Sequence, residues 1–258
     1  MPSQLGGGLR PPSEASLQEF VAPATPALER LRRVPNLVAL IPAGGAGTRL
    51  GRRTPKQFLR IGGVPIVLAT VRHFARHPRV GAVVVAAPPR LVAQTERLLR
   101  GDRHRATLTV VAGGAERQDS VWHALCAAPP DVELVVVHDA VRPFVSRSLI
   151  DAVAAAAAET GAAICAVPIA ETVKRVRDGL VETTLDRSAL WAVQTPQAFR
   201  VDLLREAHEK ARRDGVLGTD DAMLVERLGH PVRVVRGSEW NVKITTPEDL
   251  RRARGITR

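Results

Sequence analysis

From Leu37 onward, short all-apolar runs alternate with stretches whose apolar positions recur every three or four residues. The apolar runs are too short for helices and read as buried strands. They predict strands at 37–43, 82–87, 107–111, 134–138 and 163–167. The helical spacing predicts helices at 64–76, 91–100, 120–127 and 148–159. Strand and helix in strict alternation are the mark of a mostly parallel sheet with helices on both faces. The loops that follow the strands then gather at the carboxyl edge, where ligands bind in such sheets.

The rhythm breaks after Pro168. Two β-prone pieces, 172–176 and 180–185, flank Asp178-Gly179, a strong hairpin signal. A hairpin that interrupts an α/β succession is expected to be an arm, about 170–190, that meets a second subunit. Helices at 201–213 and 220–228, a strand at 232–235 and a helix at 247–254 complete the chain. No internal repeat is present. Residues 1 to about 35 are rich in Gly, Pro, Ser and Ala and are expected to form a flexible tail with a short helix around 26–33; residues 36–258 form the folded domain.

Composition agrees with a globular chain: 258 residues, 45% hydrophobic and 24% charged, enough for one large α/β domain. No apolar stretch approaches the roughly 18–20 residues of a membrane span, and no basic-then-apolar leader opens the chain. Two cysteines, Cys126 and Cys165, supply neither a disulfide framework nor a zinc site, so a reducing cytoplasm is expected. The net charge of +11 raises nucleic acid as a partner. However, the basic residues are scattered, aromatic residues are only 3% and tyrosine is absent, which leaves little for base stacking. Polyphosphate substrates account for the same charge, and no nucleic-acid partner is expected. Arginine dominates; the four lysines are Lys56, Lys174, Lys210 and Lys243.

The chemistry concentrates at the first strand. Leu37–Ile41 runs into Pro42-Ala43-Gly44-Gly45-Ala46-Gly47, followed by Arg49, Arg52, Arg53 and Lys56 with no acid among them. Glycines at a strand end expose backbone N–H groups that can hold an anion, and the cations can neutralise a polyphosphate. This is not the dinucleotide fingerprint, because Leu50 stands where a third glycine belongs. Nor is it a P-loop, because Lys56 lies between Pro55 and Gln57.

These residues resemble the signature of sugar-nucleotide pyrophosphorylases and cytidylyltransferases, and most closely the 2-C-methyl-D-erythritol 4-phosphate cytidylyltransferase family of the non-mevalonate isoprenoid pathway. Four more segments carry the resemblance, in the family's order: Gly113–Ser120; His138-Asp139-Ala140-Val141-Arg142-Pro143; Leu185-Asp186-Arg187 with Thr195-Pro196-Gln197; and Asn241–Thr245 before Pro247–Leu250. It runs from about residue 36 to the end.

The resemblance implies a Rossmann-like, mostly parallel twisted sheet of nucleotide-diphospho-sugar transferase type with a β-hairpin dimerisation arm. It implies a homodimer that moves CMP from CTP to methylerythritol phosphate with Mg²⁺ carried mainly on the substrate phosphates. Arg49 and Lys56 match the cations that stabilise the transition state. Ala43, Gly44, Gly45, Gly47, Gly114 and Ser120 match the nucleotide pocket, although a serine opening a helix is also an ordinary N-cap. Asp139 matches a contact to a substrate hydroxyl or ribose, and Arg142 one on the sugar-phosphate side. Arg187, Lys243, Thr172 and Thr195 match residues that position the acceptor, with Thr172 on the arm. His138 is passed over as an acid or base, because an anionic nucleophile needs none. Thr48, Gly44 and Asp221 depart mildly from the family's usual residues. No second catalytic domain is expected after residue 258. Rival readings are a cytidylyltransferase for another polyol phosphate such as ribitol 5-phosphate, a nucleotide-binding regulator without catalysis, and a nucleic-acid-binding protein.

Overall fold

A computed structural model describes residues 37–44 and 55–256. The expected tail with its short helix, and Gly45, Gly47, Thr48 and Arg49 of the glycine loop, lie outside the described residues. Strands β1 (Leu37–Pro42), β4 (Val80–Ala87), β5 (Thr107–Ala112), β6 (Leu134–Val137), β7 (Ala162–Pro168), β10 (Trp191–Arg200) and β11 (Arg233–Arg236) form one sheet in the order β11-β7-β10-β6-β1-β4-β5. All neighbours pair in parallel except β10, which is antiparallel to both β6 and β7. The expected α/β fold is therefore observed.

The alternation of side chains along each strand sorts the core into two layers. Leu37, Ala39 and Ile41 of β1 face one side, together with Val83, Val85 and Val136. Helices α1 (Ile66–Ala75), α2 (Val92–Arg100) and α4 (Arg147–Thr160) cover that side. Val38 and Leu40 face the other, with Val84, Val135 and Val137, under α3 (Arg117–Cys126), α5 (Val201–Arg213) and α6 (Asp221–Glu226). The central strands are buried on both faces, which is why their sequences are unbroken apolar runs. Each fully buried Leu, Ile or Phe contributes about 1.5–3 kcal/mol of burial. In α5 the buried positions Leu204, Ala207, His208 and Ala211 keep helical spacing, and one of them is a histidine.

A third, smaller core sits at the carboxyl edge. Ile61 of β2 (Arg60–Ile61), Ile66, Val141, Ile244 and Leu250 of α7 (Pro247–Ile256) meet there. β2 pairs with β3 (Val64–Pro65) as a tiny hairpin over it. The Ile244 N–H donates to the Val141 carbonyl at 2.9 Å. This cluster pins two loops together and so fixes Lys243 beside Asp139.

Two sequence expectations change. The segment 191–200 had no assigned element, yet β10 lies inside the sheet, between β7 and β6. Its buried positions include Gln194, Thr195 and Gln197, so it lacks an apolar run, and Pro196 reads as a breaker. The strand absorbs the proline, which follows a cis peptide bond, within an irregularity between Gln194 and Gln197. Second, Ser120 does not open α3. The helix starts at Arg117 behind a Glu116–Asp119 capping box, which places Ser120 one turn inside. The hairpin is confirmed: β8 (Lys174–Arg177) pairs with β9 (Leu180–Thr184), with Asp178 at φ 52° and Gly179 at φ 79° between them. Thr172 falls just before β8. Among the described residues, no helix is long and apolar enough to cross a membrane.

Candidate active site

The ends of β1, β5 and β6 enclose a cavity of about 210 Å³ lined by Ala43, Gly44, Lys56, Ser120, Asp139 and Lys243, among others. Lys56 sits on a single 3-10 turn, Lys56–Phe58, entered through Pro55. The turn is tied to the strand end by buried Gln57, whose Nε2 donates to the Ala43 carbonyl at 2.6 Å. On the opposite wall the Gly114 N–H donates to Ser120 Oγ at 3.2 Å, and Oγ in turn donates to the Glu116 carbonyl at 3.2 Å. A Cβ on Gly114 would lie 2.2 Å from the Asp119 Cβ, so only glycine lets this turn press on the helix start. Ser120 is therefore a brace for the glycine turn.

A second cavity, about 270 Å³, adjoins the first and is lined in part by Arg142, Gln194, Thr195, Thr219 and Asp220. Arg117, Asp139 and Lys243 line both cavities. They form the shared wall. Lys243 Nζ lies 2.8 Å from Asp139 Oδ2, Arg117 Nε 3.2 Å from Oδ1, and Arg142 Nε 3.6 Å from Oδ2. Burial alone would raise the Asp139 pKa, but Arg117, then Lys243 and Arg142, outweigh it and hold the carboxyl far below the ordinary range. The Asp139 N–H donates to Thr195 Oγ1 at 3.0 Å. Arg142 donates to the Asn241 carbonyl at 2.6 Å, and Asn241 donates to the Thr195 carbonyl at 2.7 Å.

Behind this wall the pairing continues inward. Arg117 Nη1 donates to Asp221 Oδ2 at 2.7 Å, and His208 Nε2 lies 3.0 Å from the other oxygen of the same buried carboxylate. Burial raises the Asp221 pKa, while Arg117 and His208 lower it by more. Trp122 stacks on His208 with ring centroids 6.1 Å apart, and the Arg212 guanidinium lies over the Trp122 ring, 5.1 Å from its centroid.

The fold thus brings together Ala43, Gly44, Lys56, Ser120, Asp139 and Lys243, with Arg142 and Thr195 in the adjoining cavity and Gly114 on the brace. Gly45, Gly47 and Arg49 lie outside the described residues. Thr172 and Arg187 are exposed, just before and just after the hairpin, and line neither cavity; Arg187 donates to the Ala170 carbonyl. Sequence reasoning assigned no role to Gln57, Arg117, Asn241, Thr219 or Asp220. Arg117 and Asn241 stand inside the quoted segments, but their partners are far away in sequence. Gln57 carried one readable sign, its place directly after the lysine.

His138 is fully buried, 4.9 Å from the Phe74 ring centroid, and donates from Nε2 to the Arg142 carbonyl at 3.0 Å. It packs the loop and does not face either cavity. Burial pushes its pKa down to about 4. An unfolded chain takes up this proton near pH 6.5, so between these values the unfolded state binds more protons and stability falls as the pH falls. The loss is on the order of 3 kcal/mol across that window. Denaturation midpoints at pH 7, 5.5 and 4.5 should drop in the native chain and drop less in His138→Gln; equal slopes would contradict this burial.

The sequence model described as IspD, 2-C-methyl-D-erythritol 4-phosphate cytidylyltransferase, matches residues 37–258. The enzyme of that name from Symbiobacterium thermophilum is 49% identical over 215 residues, covering 83% of this chain and 89% of the relative. That from Desulforamulus reducens is 46% identical over 217 residues, covering 83% and 93%. Among solved structures, 4-diphosphocytidyl-2C-methyl-D-erythritol synthase from Anaerococcus prevotii superposes with a TM-score of 0.78 at 29% identity, covering 88% of this chain and 98% of that one. The Thermus thermophilus cytidylyltransferase gives 0.68 at 37% identity, covering 86% and 98%. The likeness spans the glycine-ended first strand, the shared Asp139 wall and the closing helix alike, and the chain belongs to the 2-C-methyl-D-erythritol 4-phosphate cytidylyltransferase family.

Proposed function

We propose that this chain transfers the cytidylyl group of CTP to 2-C-methyl-D-erythritol 4-phosphate, releasing pyrophosphate and forming 4-diphosphocytidyl-2-C-methyl-D-erythritol, a step toward isoprenoid precursors. The observation that carries this reading is the pair of adjoining cavities with one cationic wall in common. One cavity opens at the glycine-ended strand and suits the nucleotide. The other, with Arg142 and Thr195, suits a phosphorylated polyol.

The acceptor phosphate is already an anion, so no base is needed. The barrier is the approach of one anion to another, and catalysis is mainly positioning and charge stabilisation. In this proposal Lys56, with Arg49, stabilises charge at the α-phosphate. Ala43, Gly44, Gly45, Gly47, Gly114 and Ser120 hold the nucleotide. Lys243 and Arg142 hold the acceptor on its side of the wall, with Thr195 fixing the loop between them. Asp139 sets the three cations in place, and a substrate hydroxyl that binds it joins a carboxylate they already engage.

Mg²⁺ is part of the proposal. Among the described residues no group of three His, Cys, Asp or Glu side chains could hold a metal, and the Asp139 oxygens are already shared by three cations. The residues fit an ion that arrives on the triphosphate: Lys56 and the glycine loop would hold the triphosphate, and the ion, when bound, would supply charge neutralisation there. The homodimer is proposed on the arm, where Val176, Leu180 and Val181 are exposed. A second copy gripping it would bring Thr172 and Arg187 to a neighbouring site. Light scattering should give twice the chain mass, and Val181→Asp should halve it with loss of turnover. A native chain of single mass would sink the arm's role. A cytoplasmic location stays part of this proposal.

Pyrophosphate release with CTP and each acceptor tests the function. Methylerythritol phosphate should exceed ribitol 5-phosphate by at least 10²-fold in kcat/KM, since the site is built on specific polar contacts. Faster turnover of ribitol phosphate, or no release alongside tight salt-dependent duplex binding, would refute it.

A further inference from the structure

A third cavity, about 600 Å³, shares no lining residue with the two substrate cavities. It is bounded by α1, the β2–β3 hairpin and the start of α4. Ile61, Val64, Ala69, Pro143 and Phe144 give it an apolar floor, and Arg72, Arg76 and Arg147 stand on its walls. Asp102 fixes the first two guanidiniums, at 2.7 Å from Arg72 and 3.0 Å from Arg76. One carboxylate against two guanidiniums leaves a positive charge held in position. Arg147 adds another. The nearby Asp151 is taken up by Arg79 at 3.2 Å and His77 at 3.4 Å. Fixed arginines over an apolar floor recognise an anionic head on an apolar body.

The floor is also continuous with the active-site wall. Pro143 and Phe144 directly follow Arg142. His73 Nε2 donates to the Pro143 carbonyl at 2.9 Å, and Thr70 Oγ1 donates to the Ala140 carbonyl at 3.0 Å. Helix α1 therefore grips the same loop that carries Asp139 and Arg142 into the substrate cavities. A ligand wedged between α1 and Phe144 bears on that loop.

We propose that this cavity is a regulatory site for a small soluble organic phosphate with an apolar body, acting on turnover through the Asp139 loop. The effect on turnover rests on the role given above to Asp139; the binding does not. Hexyl phosphate is the probe, titrated calorimetrically into the full chain, with inorganic phosphate and hexanol as the two halves of its chemistry. One site per chain is expected, at least tenfold tighter for hexyl phosphate than for either half. Arg147→Glu and Ala69→Trp should each weaken it at least tenfold, and Arg147→Glu should keep basal turnover within twofold. Should Ala69→Trp fail to fold by circular dichroism, Arg147→Glu decides. Saturating CTP should shift the affinity to a plateau, as linkage between separate sites requires, and hexyl phosphate, bearing on the Asp139 loop, should change kcat. Equal binding by both variants, equal binding of hexanol, or a Kd that climbs without limit with CTP would overturn the site. Sedimentation with phosphatidic acid vesicles without any response to hexyl phosphate would overturn the soluble ligand. Binding with kcat unchanged would overturn the coupling.

Discussion

Lys56→Ala should lower kcat for cytidylyl transfer by about 10²–10³-fold, equivalent to roughly 3–4 kcal/mol of transition-state stabilisation, while the melting temperature stays nearly constant. The fold should tolerate the change because other groups anchor the turn. Its hold on the strand end comes from Gln57 to the Ala43 carbonyl, and from the backbone bonds of Phe58 and Leu59 to Pro55 and Lys56. Alanine keeps all of these. Catalysis should not tolerate it, because in the proposed mechanism charge is the obstacle and the Lys56 ammonium, on the wall of the first cavity, offsets it. Lys56→Arg should restore only part of the rate, since a forked guanidinium does not replace a point charge in a small cavity. Steady-state kinetics with a thermal melt checks both halves. A kcat within threefold of the native value would remove Lys56 from the mechanism.

The second large effect belongs to the shared wall. Asp139→Asn should destabilise the chain by about 3–5 kcal/mol, because it strips one carboxylate from three cations that remain partly buried. For a domain of this size that is a fall of roughly 10 °C in Tm. Turnover should also fall, because Lys243, Arg117 and Arg142 lose the group that sets their positions. Asp221→Asn is the informative contrast. It unpairs Arg117 and His208 behind the wall, so it should cost comparable stability while sparing more of the activity. Both carboxyls titrate below their unfolded values, so their contribution is fully present above about pH 4 and is lost as the pH falls below it. The native chain should therefore lose stability more steeply in acid than either variant. Identical kinetic losses in Asp139→Asn and Asp221→Asn would show that the wall acts only as structure.

Much of this architecture was readable in the chain. β1, β6 and β7 are apolar runs because parallel strands are buried on both faces, and α5 shows its stripe of Leu204, Ala207, His208 and Ala211 plainly. The hairpin was readable because Asp178-Gly179 adopts the left-handed conformation that its turn requires. β10 was not, because polar groups, Gln194, Thr195 and Gln197, share its buried half with Ala198 and Phe199. Gln194 donates to the Ser238 carbonyl and Gln197 to Asp220, partners that no local pattern announces. The site divides the same way. Lys56 beside a glycine-ended strand has a local signature. Arg117 has none, since its meaning lies in Asp139, 22 residues on, and Asp221, 104 residues on. Ser120 lines the first cavity, but its part as a brace depends on where α3 starts, and the Glu116–Asp119 capping box sets that start.

A crystal structure of the chain with CTP and Mg²⁺ tests the central claim most directly. The account predicts the triphosphate at the end of β1, with the α-phosphate roughly 3 Å from Lys56 Nζ and the base against the Gly114–Ser120 wall. A triphosphate bound away from β1, with Lys56 turned to solvent, would contradict it.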